Sequence, residues 1–324
     1  MREITYAEAI REALREEMIK DPNVILMGED IAAYGGAFKI TDGFLKEFGP
    51  ERVRDTPISE AAIVGAAIGA SLMGLRPIAE IMYMDFLPIC LEQICNQAAK
   101  MRFMSGGQLR VPIVVRTQYS LGRAHGAQHS QYVPSWLLQV AGVKVALPST
   151  PYDAKGLLKT AMRDGNPVLY IESSLLYRVK GPVPEDEYTV PFGKTDVKRE
   201  GSHVTVVAIS RMVREAMTAA EILREHGIDI EVLDPRTIQP LDIETIVDSV
   251  KKTGRLAIAE DDSKTGGVGA EIAASLAEKA IDYLDAPIVR VAAPDMPIPF
   301  SPSLEQEYMP NKEKVVEAVK SLVR

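Results

Sequence analysis

Apolar residues fall at helical spacing at Ala7, Ile10, Leu14 and Met18, with Thr5 and Glu8 set three apart at the start. That pattern predicts an amphipathic helix opened by a capping box. Val24 to Met27 is a short apolar run ended by Gly28-Glu29-Asp30, which predicts a buried strand feeding a loop. Residues 60–74 are small and apolar and predict a buried helix. Arg76 to Met82 reads as a strand, 87–103 as a helix and Val111 to Arg116 as a strand. Val143 to Leu147, a helix over 151–164 and Val168 to Glu172 continue the alternation. Residues 181–201 break it, with Pro182, Pro184, Pro191 and clustered charges. Beyond the break, strands are predicted at 204–209, 228–233, 256–259 and 288–291, and helices at 212–226, 242–252, 268–282 and 312–323. Strands alternating with helices predict parallel sheets covered on both faces. The expected organisation is therefore α/β with two doubly wound domains: residues 1–182, a linker over 183–202, and a second domain over 203–324.

Composition narrows the class of function. A chain of 324 residues with 46% hydrophobic and 25% charged residues has material for two ordinary cores. Its formal net charge of −8 argues against a nucleic-acid surface, which needs a basic stripe. No apolar run approaches the roughly 20 residues that span a bilayer, and the first residues lack a signal or transit pattern. Cys90 and Cys95 read as small core residues of a reducing compartment rather than a disulfide. A cytoplasmic protein is expected.

The carboxyl ends of parallel strands are where such sheets bind ligands. That rule points to Glu29, Glu60 and the loop 117–130. Glu60 stands at the mouth of the apolar helix, which Ser59 or Thr56 could cap. An acid in a first helical turn is ordinary dipole compensation. The neighbours Ile58, Ala61, Ala62, Ile63 and Val64 give a second reading: they would desolvate a carboxyl, raise its pKa and suit it to proton transfer. Gly65 and Gly69, four apart, admit close backbone approach, either in ordinary packing or across a subunit contact. His125 and His129 are also four apart, but the intervening Gly126 and the lack of a neighbouring acid disfavour a metal pair. His129 suits a proton donor or substrate contact. Phe86, at a strand end, is core or a platform for a flat heterocycle. Gly266-Gly-Val-Gly269 is neither a dinucleotide nor a phosphate-loop motif and reads as a tight strand-to-helix turn.

Glu60-x4-Gly65-Ala-x-x-Gly69-Ala resembles the pyrimidine-domain motif of thiamine-diphosphate enzymes, with Ala70 where many have Gln. Further segments extend the likeness: Asp55-Thr-Pro-Ile-Ser-Glu60, Gly74-Leu-Arg-Pro-Ile-Ala-Glu80, Met104-Ser-Gly-Gly, Ala127-Gln-His-Ser-Gln131, Pro148-Ser-Thr-Pro-Tyr-Asp-Ala-Lys-Gly156, Asp234-Pro-Arg-Thr-Ile238 and Pro299-Phe-Ser-Pro302. In order and over the whole chain, these are similar to the E1 component β subunit of 2-oxo acid dehydrogenase complexes. The resemblance implies a pyrimidine-binding domain followed by a transketolase C-terminal-like domain. It implies that Glu60 hydrogen-bonds N1′ of the cofactor's aminopyrimidine, that Phe86 packs on that ring, and that Ile58 lines the pocket. His129 matches a histidine placed for the substrate or for acyl transfer to a lipoyl group. Glu29 and Glu92 match acids of a proton path between paired sites. A structural K+ is implied at Ile113, Ala161, Met162, Asp164 and Asn166.

No Gly-Asp-Gly, the family's diphosphate and Mg2+ module, occurs in the chain. The resemblance therefore implies that thiamine diphosphate and its Mg2+ are held mainly by a separate α subunit, in an α2β2 heterotetramer docked on a lipoyl-bearing E2 core. The segment Arg116 to His125 departs from the Gly-rich stretch of many relatives. Arg123 and His125 bring bulk and charge there, which leaves the 2-oxo acid open. Other readings are an acetoin dehydrogenase β subunit, the C-terminal half of a split transketolase-type enzyme, and a scaffold without activity.

Overall fold

The computed structural model describes residues 1–323. The chain divides into two compact units, one of residues 1–120 and 139–192, the other of residues 121–138 and 193 onward. The excursion of 121–138 into the second unit was not expected, and the longer stretch of that unit begins at residue 193, inside the expected linker. Also inside it, Asp196–Arg199 forms a strand. Among the described residues no helix is long and apolar enough to cross a membrane.

In the first unit, β1 (Arg2–Thr5) leads into α1 (Tyr6–Lys20), whose Thr5–Glu8 capping box forms as expected. There follow β2 (Val24–Gly28), α2 (Phe44–Phe48), β3 (Val53–Asp55), α3 (Glu60–Leu72) and β4 (Arg76–Ile81). The helix expected over 87–103 is interrupted. It consists of α4 (Leu87–Glu92), a π-helical segment Gln93–Ala98 and α5 (Ala99–Met104). Next come β5 (Val114–Tyr119), β6 (Lys144–Ala146), α6 (Pro151–Arg163), β7 (Val168–Ser173) and β8 (Lys180–Val183). Strand β5 starts three residues later than expected, two residues beyond Pro112, which has no N–H for a ladder. The main sheet of this unit runs β6–β7–β5–β4–β2–β3 with every pair parallel. β1 and β8 pair antiparallel at its side.

The strand order reverses between β2 and β4, so the crevice at their carboxyl ends is the natural ligand position. Gly28 permits that approach: a Cβ there would stand 2.8 Å from the Glu80 carbonyl oxygen. The core between α1, α6 and the sheet is built from Tyr6, Ile10, Leu14, Phe44, Leu157 and Tyr170, among others. Along its edge, buried Lys155 and Lys159 on α6 reach Glu12 and Glu16 on α1 at 2.6–3.0 Å.

The second unit holds β9 (Asp196–Arg199), β10 (Val204–Ala208), α7 (Met212–Glu225), β11 (Ile230–Asp234), β12 (Thr237–Gln239), α8 (Ile243–Thr253), β13 (Leu256–Ser263), α9 (Val268–Ala280), β14 (Val289–Ala293), α10 (Pro302–Tyr308) and α11 (Lys312–Leu322). Its sheet runs β14–β13–β10–β11–β9, parallel except at β9. Val204, Val206, Val232 and Ala257 face the helices α7 and α11 in one core. Strand β13 is longer than expected because Glu260, Asp261 and Asp262 continue it while buried.

Candidate active site

Three elements of the first unit bring residues to the β2/β4 crevice. Glu29 follows β2, Glu60 opens α3 just after β3, and Phe86 closes the turn after β4. The turn before Glu60 is tied down by Asp55, whose carboxylate accepts the Ala32 and Ala33 N–H groups at 2.7 and 3.1 Å. Thr56 N–H donates to the Gly28 carbonyl at 2.9 Å. Ser59 sits at the N-cap of α3 but makes no side-chain capping bond, and the Thr56 hydroxyl oxygen is buried without a partner. Neither residue caps the helix, contrary to expectation.

Glu60 is 5% exposed while Ile58, two residues earlier, is 82% exposed. An acid is therefore hidden beneath a rim whose large apolar side chain has no cover within the chain. Burial and the negative charges of Glu60 and Asp30 push the Glu29 carboxyl above its ordinary pKa. Burial, with Glu60 again contributing, pushes the Cys90 thiol up to about 12. Glu29, Glu60 and Cys90 thus share one electrostatic neighbourhood. Phe86 is half-buried and meets Tyr83 edge to face at 6.2 Å. Glu92 lies apart in character, exposed and accepting from Gln97 Nε2 at 2.8 Å. Both cysteines are free.

Sequence reasoning passed over a buried charge network on the neighbouring strands. Arg116 on β5 pairs with Glu80 on β4 and with Glu172 on β7, and Tyr177 donates its hydroxyl to Glu172 at 2.7 Å. Burial disfavours the Arg116 charge, but Glu172 and Glu80 outweigh it and hold the guanidinium charged above its usual range. The available signal was a charge within each of three adjacent strands, Glu80, Arg116 and Glu172.

His129 belongs to the second unit, on the excursion 121–138. It is half-buried, and its N–H reaches the Gly126 carbonyl at 3.4 Å. His125 on the same loop is exposed. Beneath the loop lies a cavity of about 590 Å³ lined by Leu121, Ala127, Tyr132, Asp261, Ile298 and Tyr308, among others. The Gly266–Gly269 turn serves the chain itself. Glu260 Oε2 accepts the Gly269 N–H at 2.9 Å, and a Cβ on Gly269 would stand 2.5 Å from Glu260 Oε1.

The residues expected to hold K+ gather where α6 ends. The Met162 carbonyl accepts from Arg76 Nε and Nη2 at 2.9 and 2.6 Å, and the Asp164 carbonyl from Nη2 at 2.9 Å. The Asp164 carboxylate is paired with Lys144 and accepts from Asn166. Ala161 and Ile113 carbonyls accept the N–H groups of Asp164 and Val168. The site fits a potassium ion only through its backbone carbonyls, and the acid fits it poorly because Lys144 already holds it. No group of His, Cys, Asp and Glu side chains suited to a metal ion occurs among the described residues.

Residues 2–180 match the transketolase pyrimidine-binding domain and residues 193–315 the transketolase C-terminal domain. The chain is 47% identical to the pyruvate dehydrogenase E1 component subunit beta of Rickettsia felis, over 99% of this chain and 98% of that one. It is 46% identical to the 2-oxoisovalerate dehydrogenase subunit beta of Bacillus subtilis, over 98% of each. The chain belongs to the E1 β-subunit family of 2-oxo acid dehydrogenases. Within this family the relatives divide by substrate, since the acetoin:2,6-dichlorophenolindophenol oxidoreductase subunit beta of Bacillus subtilis is also 47% identical over 99% of the chain. A solved structure described as a split-gene transketolase, an inactive beta4 tetramer, superposes with a TM-score of 0.81 at 25% identity, covering 99% of both chains. The two-domain α/β fold is thus the transketolase-like one expected from the sequence.

Proposed function

We propose that this E1 β chain supplies the pyrimidine half of a thiamine-diphosphate site and acts only with an α chain that holds the diphosphate and Mg2+. The observation that carries the reading is the buried Glu60 carboxyl at the opening of α3 under an uncovered apolar rim. The half-buried Phe86 ring and the exposed Ile58 suit a flat heterocycle, and the orphaned Thr56 hydroxyl is a buried polar atom two residues before Ile58. The diphosphate end finds no counterpart here, which is why a partner is required.

Bound thiamine diphosphate supplies the electron sink for decarboxylation of a 2-oxo acid. Glu60 holds and returns a proton at N1′ of the aminopyrimidine, a task that favours a carboxyl shielded from water. Ile58 and Phe86 orient the ring. Glu29, whose carboxyl is pushed above its ordinary range by burial and by the Glu60 charge, belongs to a proton path that starts beside Glu60. His129 serves the transfer of the acyl group to a lipoyl group on an E2 partner. Gly69, with nothing within 4 Å of a Cβ built on it, leaves the exposed side of α3 open to a partner backbone in an α2β2 assembly.

The test is Glu60→Gln in the assembled α/β complex. Decarboxylation measured with an artificial electron acceptor is expected to fall about 10³-fold while assembly is unchanged. Turnover within threefold of wild type would refute the role of Glu60. The acetoin:2,6-dichlorophenolindophenol oxidoreductase relative supports acetoin as a second substrate reading. A panel of pyruvate, branched 2-oxo acids and acetoin decides between them.

A further inference from the structure

The loop that carries His129 has an unusual backbone. Gly122, Ala124 and Gly126 all have positive φ, at 91°, 56° and 76°. For Ala124 that conformation costs about 1 kcal/mol or more, so another part of the fold must hold it. Alternation of left-handed residues turns successive N–H groups toward one side and makes an anion-binding concavity. Here the anion is built in. Glu305 on α10 is buried, and its two carboxylate oxygens accept the Gly122 N–H at 2.9 Å and the Ala124 N–H at 2.7 Å.

Further along the loop, His125 and residues 129–132 have contacts of their own. Leu121, Ala127 and Tyr132 of the loop also border the cavity of about 590 Å³. At the far end Ser135 donates hydrogen bonds to Asp262 on β13. Between these points, Gly126 lies against Phe300, where a Cβ would meet the ring at 3.1 Å, and the Gly126 carbonyl takes the His129 N–H. Glu305 therefore fixes the backbone five residues before His129, and Arg123 sits between its two held amides.

We propose that Glu305 is a positioning residue: by filling the concavity of Gly122 and Ala124 it sets the loop conformation that presents His129 for acyl transfer. This rests on the reading of His129 given under Proposed function. Charge-assisted bonds of this kind are roughly twice as strong as neutral ones. Glu305→Gln keeps the volume but turns an amide N–H₂ toward one of the two donors.

The experiment uses the assembled α/β complex with Glu305→Gln, His129→Ala and the double variant. Two rates are read: decarboxylation with 2,6-dichlorophenolindophenol as acceptor, and reductive acylation of a free lipoyl domain. Hydrogen exchange at residues 121–131 is read alongside. Expected are faster exchange across that loop in Glu305→Gln, a loss of roughly 10- to 100-fold in lipoyl-domain acylation, and a much smaller change in decarboxylation. The double variant should lose little more than His129→Ala alone, because both act through one group. Equal losses in both rates, full additivity, or unchanged exchange would each overturn the proposal. If His129→Ala alone acylates normally while Glu305→Gln still loosens the loop, the reading of His129 fails and the restraint by Glu305 stands. A complex that fails to assemble with Glu305→Gln is replaced by Glu305→Asp, which keeps the charge but shortens the reach, and the same criteria apply.

Discussion

The two parallel sheets of this chain both place acids at their carboxyl ends and treat them in opposite ways. In the first unit Glu80 and Glu172 share the buried Arg116, so each acid lies against a positive charge. In the second unit Arg211 pairs with Asp261 and Glu215, and Lys198 with Asp234. Burial raises the Glu260 carboxyl to about 8 and the Asp262 carboxyl to about 6. Those two acids hold their protons to higher pH than ordinary carboxyls, and their hydrogen-bond partners are N–H and O–H donors instead of a shared guanidinium. The first solution sets a buried guanidinium between two acids, beside the crevice proposed for the cofactor, although burial still raises the Glu172 carboxyl. The second gives a rim whose stability depends on pH, beneath the loop that bears His129.

The largest effect should come from removing the cation that makes the first solution work. Arg116→Met leaves two carboxylates facing each other in a buried site. A loss of about 3–5 kcal/mol is expected, the usual result of stripping one partner from a buried ionic group. Urea unfolding of the chain measures it. A loss below about 1 kcal/mol would mean that water already solvates Glu80 and Glu172, and the contrast between the units would collapse.

Glu260→Gln tests the second solution, and its sign follows from linkage. The folded-state pKa of about 8 lies above the ordinary 4.5. Between those values the folded state keeps a proton that the unfolded chain has lost. Stability is therefore full below pH 4.5, falls as pH rises toward 8 and is level beyond. Gln cannot ionise, so the variant should lack most of that fall and gain on the order of 2–4 kcal/mol relative to wild type at pH 8, with little gain at pH 4.5. Asp262 should leave a residual fall ending near pH 6. Parallel pH–stability curves for the two proteins would show that the Glu260 carboxyl ionises freely.

How much of this was legible in the sequence divides along the same line. The β/α alternation, the capping box at Thr5 and the opening of α3 at Glu60 follow from local periodicity and were read correctly. The π segment at 93–98 was not, because its apolar spacing is indistinguishable from that of an α-helix over so few residues. Short edge strands such as β8 and β9 carry little apolar signal. Arg116, Glu80 and Glu172 could be noticed singly but acquire meaning only from the register that sets Glu80 beside Arg116. Glu305 was invisible, since its partners lie more than 180 residues away. The assignment of loop 121–138 to the second unit has the same long-range origin.

The smallest effect asks whether the hydroxyl of Tyr177 is part of the pairing or merely near it. It donates to Glu172 Oε2 at 2.7 Å, yet Arg116 Nη2 already reaches that oxygen at 2.8 Å. Tyr177→Phe therefore removes a charge-assisted bond without leaving the carboxylate unpaired. The expected cost is about 1–2 kcal/mol, at the low end for a bond to a charged group because Arg116 still holds the carboxylate, and well below that of Arg116→Met. The double variant Arg116→Met with Tyr177→Phe should cost more than the sum of the two, because in the absence of the guanidinium the hydroxyl becomes the remaining donor to Glu172. Simple additivity by urea unfolding would show that Tyr177 acts through ring packing alone, and that the first unit's compensation consists of Arg116 and its two acids without the tyrosine.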